Sequence, residues 1–421
     1  MGTLFVSLVL LCFGSGIRAQ ALRPAAPEEV GMSSDRLHRL DRALTSYVES
    51  GRLPGGVILV ARDGRVVHRR AFGWRDLEER DAMEGDDLFR IASQTKALVS
   101  VAAMLLMEEG SLLLNDPVGK FIPSFRTTLV AEAREGGGYD VVPAHRPITV
   151  RDLLTHTSGV AYGGGVGADR WEAEGIQGWY FAHRDEPVLA TVERMAALPF
   201  PSHPGEKWVY GYSTDILGAV VEVASGVSLD RFLETRIFAP LGMADTRFFV
   251  PPTLRDRLVT VYSATPSGGL ERAPDGAGMA AQGQYVDGPR RSFSGGAGLV
   301  STAGDYARFL QMLLDGGALD GVRLLSPKTV ELMTVDHVGS LYGSRGAGFG
   351  LGFSVVEDPG ARGQPGSLGE FGWGGAYHST YWVDPAEGLV VVYLTQVIPA
   401  GGLDDHERVR ALVYQAIVET R

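Results

Sequence analysis

The chain is poor in cysteine and lysine, and it has no apolar run long enough to cross a bilayer. Its one cysteine, Cys12, lies in an N-terminal segment, so a disulfide framework, a thiolate metal site and a cysteine nucleophile are excluded once that segment is removed. The lysines number four, at positions 96, 120, 207 and 328. A lysine in a special place is therefore conspicuous. The 39 basic and 50 acidic residues are scattered, for a formal charge of -11, and no cationic patch recommends nucleic acid or anionic lipid as a partner. A small neutral or apolar molecule fits better. There is no Gly-x-Ser-x-Gly elbow, because Gly211-Tyr212-Ser213-Thr214-Asp215 fails at its last position, and no His-Glu-x-x-His. The glycines near 343 to 352 miss the dinucleotide fingerprint. Neither a metal nor another cofactor is expected.

The N-terminal segment has an apolar run, Leu4 to Phe13, then Gly14-Ser15-Gly16 and Ala19-Gln20-Ala21. This pattern predicts a signal peptide over residues 1–21, cleaved after Ala19 or Ala21, and a secreted or periplasmic protein. Leu10 and Leu11 stand before Cys12 where a lipoprotein signal needs small residues. No membrane anchor is expected.

At 421 residues and 45% hydrophobic composition the chain can bury a large core. Two apolar runs around Gly64, Gly56 to Ala61 and Val66 to Phe72, read as a hairpin. Tyr377 to Val383 and Gly388 to Gln396 read as strands joined by Asp384-Pro385, and Glu407 to Thr420 as a final helix. Strands at both ends suggest one sheet built from the two termini. Between them the pattern is helical, at Val150 to Leu154, Pro187 to Ala197, Asp215 to Ser225 and Leu229 to Ile237, with glycine-rich loops near 136–138, 163–167 and 273–283. The expected organisation is a discontinuous α/β lobe, residues 22–115 and 295–421, with an inserted, mainly helical lobe over 116–294. A cleft between such lobes suits a small-molecule site.

Three groups of residues can carry chemistry. In the first, Ser93-Gln94-Thr95-Lys96 opens an apolar helix that runs to Met107 and stops at Gly110. Residues three apart share a helical face, about 5 to 6 Å between Cβ atoms. Lys96 can then reach the Ser93 hydroxyl and take its proton, provided it is less basic than in water. The bland alternative is a capping serine and a solvated lysine. In the second, a Pro204-Gly205 turn presents Trp208 and Tyr210 ahead of a helix. A tyrosine there can shuttle a proton, although packing is the commoner fate of such rings. In the third, Trp373-Gly374-Gly375-Ala376 leads into a strand. Paired glycines let a ligand approach the backbone and leave the Ala376 amide for an oxyanion, or they form a simple bulge. His156 and His378 are candidates for pocket lining, with a structural role favoured for His156.

The order and spacing of these groups resemble the class C β-lactamase family and, within it, the carboxylesterase branch called esterase family VIII, over about residues 28–420. Leu153-Leu154-Thr155-His156-Thr157-Ser158-Gly159, Gly295-Gly296-Ala297-Gly298-Leu299 with Ser301, and Tyr381-Trp382-Val383-Asp384-Pro385 support it. The resemblance implies a β-lactamase/transpeptidase-like α/β fold of the α+β type, an antiparallel sheet flanked by helices. It implies that Ser93 attacks a carbonyl, that Lys96 and Tyr210 handle the proton, and that the amides of Ser93 and Ala376 form the oxyanion hole. Trp373, Gly374, Gly375 and Tyr212 would border the substrate. The chain departs from β-lactamases at two places, with Tyr212 where they have the asparagine of Tyr-x-Asn, and Trp373-Gly374-Gly375 where they have Lys-Thr-Gly. Loss of that ammonium ranks esters and other apolar acyl or alcohol groups above acidic lactams. The expected activity is a serine carboxylesterase working through an acyl-enzyme on a small ester or amide, with weak β-lactamase activity as a side capacity. The rivals are a β-lactamase or D-amino-acid peptidase, and a non-catalytic penicillin-binding-like sensor.

Overall fold

The computed structural model describes residues 22–178, 181, 183–274, 282 and 284–420. The expected leader, residues 1–21, lies outside them, as does most of the 273–283 loop. The elements used below are α1 (Ser34–Glu49), β1 (Gly55–Arg62), β2 (Arg65–Asp76), α2 (Thr95–Glu108), α3 (Ser213–Ser225) and α4 (Ala303–Leu314). They continue with β3 (Ala347–Phe349), β4 (Ser354–Val356), β5 (Phe371–Gly375), β6 (Ser379–Asp384), β7 (Leu389–Leu394) and α5 (Asp405–Tyr414).

The sheet is assembled from both termini, as the strand-like runs predict. Its order is β2-β1-β7-β6-β5-β4-β3, with Arg23–Pro24 added in parallel outside β2 and Asp81–Ala82 also paired to β2. All the pairings from β2 to β3 are antiparallel, and the seam joining the two ends of the chain runs from Leu389↔Arg62 to Leu394↔Val57. Alternation of side chains along a strand sends neighbouring residues to opposite faces. Ile58, Val60, Val391 and Tyr393 accordingly pack with Leu37, Leu40 and Leu44 of α1 and Val409 and Val413 of α5. Val57, Leu59, Val390 and Val392 pack with α2 and α4 on the other face. This is a mixed α/β architecture, an antiparallel sheet flanked by helices, as expected.

Among the described residues, those from 116 to 294 contribute no strand to this sheet. They hold the helices Val150–Leu154, Val188–Met195 and α3, together with a small sheet of Leu129–Ala133, Tyr139–Pro143 and Pro199–Phe200 that the sequence reading had not separated from loop. The final helix ends at Tyr414, six residues before the predicted Thr420, because the chain beyond it turns back and Ile417 bridges to Met32.

α2 passes through the middle of the molecule. An amphipathic helix would show water one face, whereas Thr95 to Leu106 are all buried, between the sheet on one side and α3 on the other. The helix stops where Gly110 takes a left-handed turn, φ 73°, with open space around it. A central, almost wholly buried helix gives the groups at its N-terminal end a rigid platform.

Candidate active site

In the run Asp87 to Leu106, Ser93 alone is not buried. It sits in the short 3-10 turn Ala92–Gln94 that feeds α2, held by Ile91 N donating to Leu299 O at 3.1 Å and Gln94 N to Ile91 O at 3.0 Å. Ala92 just before it has φ 43°, a left-handed conformation that costs a non-glycine residue of order 1 kcal/mol or more. Packing holds that turn in place and aims the serine outward, into a cavity of about 670 Å³ that is also bordered by Tyr210, Tyr342, Trp373, Ala376 and His378.

One turn deeper, Lys96 is 2% exposed. Its ammonium group donates to Ser93 Oγ at 3.2 Å, to Tyr162 OH at 2.9 Å and to Gly296 O at 2.7 Å. It also lies 4.7 Å from the centre of the Tyr210 ring. The solvated-lysine alternative is excluded. On the far side of Gly296, the fully buried Asp215 accepts from the Gly296 amide at 3.0 Å and from Ser294 Oγ at 2.7 Å. Burial pushes its carboxyl up, and the nearby Lys96 charge pulls it back down.

Tyr210 reaches the cleft as expected, but through its ring more than its hydroxyl. The hydroxyl accepts from Trp373 Nε1 at 3.0 Å. The ring is stacked on Trp208 and lies 4.7 Å from the ring of His156. His156 does not line the cavity; burial and the Lys96 charge hold its basicity well below the usual value, so it is a neutral packing residue behind Tyr210.

Tyr212 is a correction. Expected at the substrate face, it is fully buried, donates to Gly178 O at 2.5 Å and stacks on Trp171 and Phe181. Tyr210 ends an irregular loop, whereas Tyr212 is already the N-cap of α3 with φ -73° and ψ 7°, so the backbone turns between them and sends Tyr212 inward. The sequence reading missed Tyr162. It lies three residues past the Gly159 turn, close to a stretch noted only as family-like. Burial, then the adjoining Tyr210 phenol, pushes its hydroxyl well above the ordinary tyrosine range, so it stays a neutral donor and acceptor. The signal was faint, an isolated tyrosine at the mouth of a glycine-rich loop.

Close backbone approaches bring these segments together. At Gly211, between the two tyrosines, a Cβ would stand 2.3 Å from Val160 O, so the strip carrying Tyr162 lies directly on that glycine. At Gly375, at the end of β5, a Cβ would stand 2.6 Å from Ile91 O. That strand can therefore press against the serine turn, with Ala376 following it. Among the described residues the Ala376 amide has no backbone or side-chain acceptor. It is left for a ligand oxygen beside Ser93.

Two groupings could offer ligands to a metal ion, Glu132/His145/His203 and His378/Asp405/His406. Their geometry fits one poorly. The His145 and His203 rings are stacked 3.6 Å apart and 5° from parallel, and those of His378 and His406 are 4.0 Å apart and 17° from parallel. In-plane lone pairs of such rings run side by side and do not converge on an ion. The chemistry legible at Ser93 draws on hydroxyls, an amine and backbone amides.

The Gly375 contact yields a test. Gly375→Ala should force β5 away from the serine turn, and a shift of about 1 Å can cost roughly 100-fold in rate. Labelling of Ser93 by a fluorophosphonate probe is expected to slow by about that factor while the thermal unfolding midpoint stays within a few degrees. An unchanged labelling rate would show that the close approach is irrelevant to reactivity.

Known proteins place this geometry. The family model described as beta-lactamase matches residues 40–415. Esterase EstB of Burkholderia gladioli is 35% identical over 384 residues, covering 86% of this chain and 91% of that protein. The lovastatin esterase of Penicillium rubens is 32% identical over 392 residues, covering 86% and 94%. Among solved structures, EstCE1, described as a hydrolase with promiscuous acyltransferase activity, superposes with a TM-score of 0.78 at 29% identity and covers 90% of this chain and 98% of its own. The chain belongs to the β-lactamase family, as a serine hydrolase of its carboxylesterase-like branch.

Proposed function

We propose that the protein hydrolyses carboxylic esters through an acyl-enzyme on Ser93. The observation that carries this reading is the 3.2 Å contact between Lys96 Nζ and the one accessible hydroxyl at the head of a buried helix. Gly296 O can only accept, so one N–H of Lys96 always points there. The other two partners, Ser93 and Tyr162, are hydroxyls that rotate between donating and accepting. Lys96 can therefore pass from ammonium to amine without leaving a buried polar group unpaired. As the amine it accepts the Ser93 proton.

Ser93 Oγ then bonds to the ester carbonyl carbon, and the proton moves to Lys96. The carbonyl oxygen takes the charge between the amides of Ser93 and Ala376. Collapse breaks the bond to the alcohol oxygen, which leaves with a proton returned through Lys96 and Tyr210. Water attacks the acyl-enzyme by the same route and frees the acid. Tyr210 keeps its ring on the amine, and Tyr162 links the amine to it.

Trp373 supports esters over lactams. It stands on the strand position where β-lactamases carry an ammonium, and it packs edge-on against Phe349 and tilted against Tyr210. The wall it gives the cleft is aromatic, which suits an apolar acyl or alcohol group and gives an acidic lactam no ion pair. The N-terminal Leu4–Phe13 run and Ala19-Gln20-Ala21 support export of the mature chain.

Three measurements check this reading. The purified chain should turn over p-nitrophenyl butyrate faster than a chromogenic cephalosporin, and Ser93→Ala should abolish both; a preference for the cephalosporin would favour the lactamase reading, and activity surviving Ser93→Ala would end the acyl-enzyme. Tyr162→Phe removes one of the two hydroxyl partners of Lys96, so kcat/KM on the same ester should fall by about 10-fold or more. An unchanged kcat/KM would place Tyr162 outside the proton path. Protein recovered from the periplasm or medium should begin at Gln20 or Leu22, and an intact Met1 would overturn export.

A further inference from the structure

The strand that carries the oxyanion amide is tied at both ends to one helix. Just before β5, the buried Glu370 accepts from Arg410 Nη1 at 2.7 Å and from Tyr414 OH at 2.7 Å, both on α5. Just after it, the turn Ala376-Tyr377-His378 returns the chain into β6, with His378 N donating to Gly375 O at 3.1 Å. His378 adopts φ 62°, a region that a histidine enters only at a cost. Its ring points to the same helix, where Nε2 meets Asp405 Oδ1 at 2.6 Å.

Asp405 is fully buried and is the first residue of α5. Burial raises its carboxyl, but the hydrogen bond and charge of His378 outweigh that and hold it below the usual range, so it is ionised and accepts. Its second oxygen accepts from Tyr393 OH of β7 at 2.8 Å. The turn is fastened a second time through its backbone, since the His378 carbonyl accepts from Thr395 Oγ1 at 2.5 Å and from His406 Nε2 at 3.1 Å. A surface turn needs no such anchorage. A turn whose preceding amide must stabilise a developing negative charge does, because that amide works only when its direction is fixed in advance.

We propose that His378, held by Asp405, is the positioning residue of the oxyanion hole, with the His378–Asp405 pair fixing the direction of the Ala376 amide. This rests on the acyl-enzyme reading above. His378 acts through the turn and needs no contact with the reacting atoms. The pair ties the turn to α5, and this tether, beyond the left-handed φ itself, fixes the peptide planes between Gly375 and His378.

His378→Asn separates the two contributions, because asparagine accepts the left-handed conformation readily but is too short to place a donor where Nε2 stands. In the full chain it is expected to lower kcat on p-nitrophenyl butyrate by about 10- to 100-fold, with KM within about twofold. Binding of a tetrahedral phosphonate should weaken by the same factor as kcat. Asp405→Asn keeps an acceptor oxygen and should fall between this variant and the wild type, and it serves as the test if His378→Asn fails to fold. Hydrogen exchange over residues 375–379 and at Val397 N, which donates to Tyr377 O, should accelerate in both. A variant with wild-type kcat and exchange overturns the proposal, as does a loss confined to KM. A wild type inactive on every ester sinks the esterase reading instead, and the exchange result then decides the clamp by itself.

Discussion

Everything at the cleft depends on one buried ammonium. Lys96 is removed from water at the base of an apolar helix, a placement that costs several kcal/mol unless each N–H finds an acceptor. It finds them on three separate segments: the serine turn, the loop carrying Tyr162 and the Gly295-Gly296 strip. A single charge thus draws together parts of the chain that lie 66 and 200 residues apart from it. Asp215 lies in the same interior and orients Gly296 for Lys96 by accepting from its amide.

Glycine makes that convergence sterically possible. A Cβ on Gly296 would stand 2.3 Å from Asp215 Oδ2, one on Gly211 2.3 Å from Val160 O, and one on Gly375 2.6 Å from Ile91 O. Each is a point where two backbones, or a backbone and a buried carboxylate, pass at contact distance. Each also lies next to a reactive element: the lysine's carbonyl partner, the paired tyrosines, and the oxyanion strand.

An aromatic cluster backs one side of the cleft. Trp208, Tyr210, Phe349 and Trp373 pack edge to face and in stacks, and Tyr210 and Trp373 present that cluster to the cavity beside polar groups such as Ser344, Arg362 and Gln364. The fold is that of the β-lactamase family. Function here follows from the side chains grafted on the shared architecture.

By itself the sequence determined the sheet built from both termini, the central helix, the Ser93/Lys96 pair and the glycine-marked strand, because each is written in local signals: alternation, a fixed helical spacing, a run of small residues. Only the tertiary structure decided that Tyr162 is a second hydroxyl bonded to Lys96, that Tyr212 turns into the core, and that His378 reaches back to Asp405. Those three turn on which way a side chain points after the chain has folded through long loops. No periodicity records that direction, because it is set by burial and hydrogen bonding between segments distant in sequence.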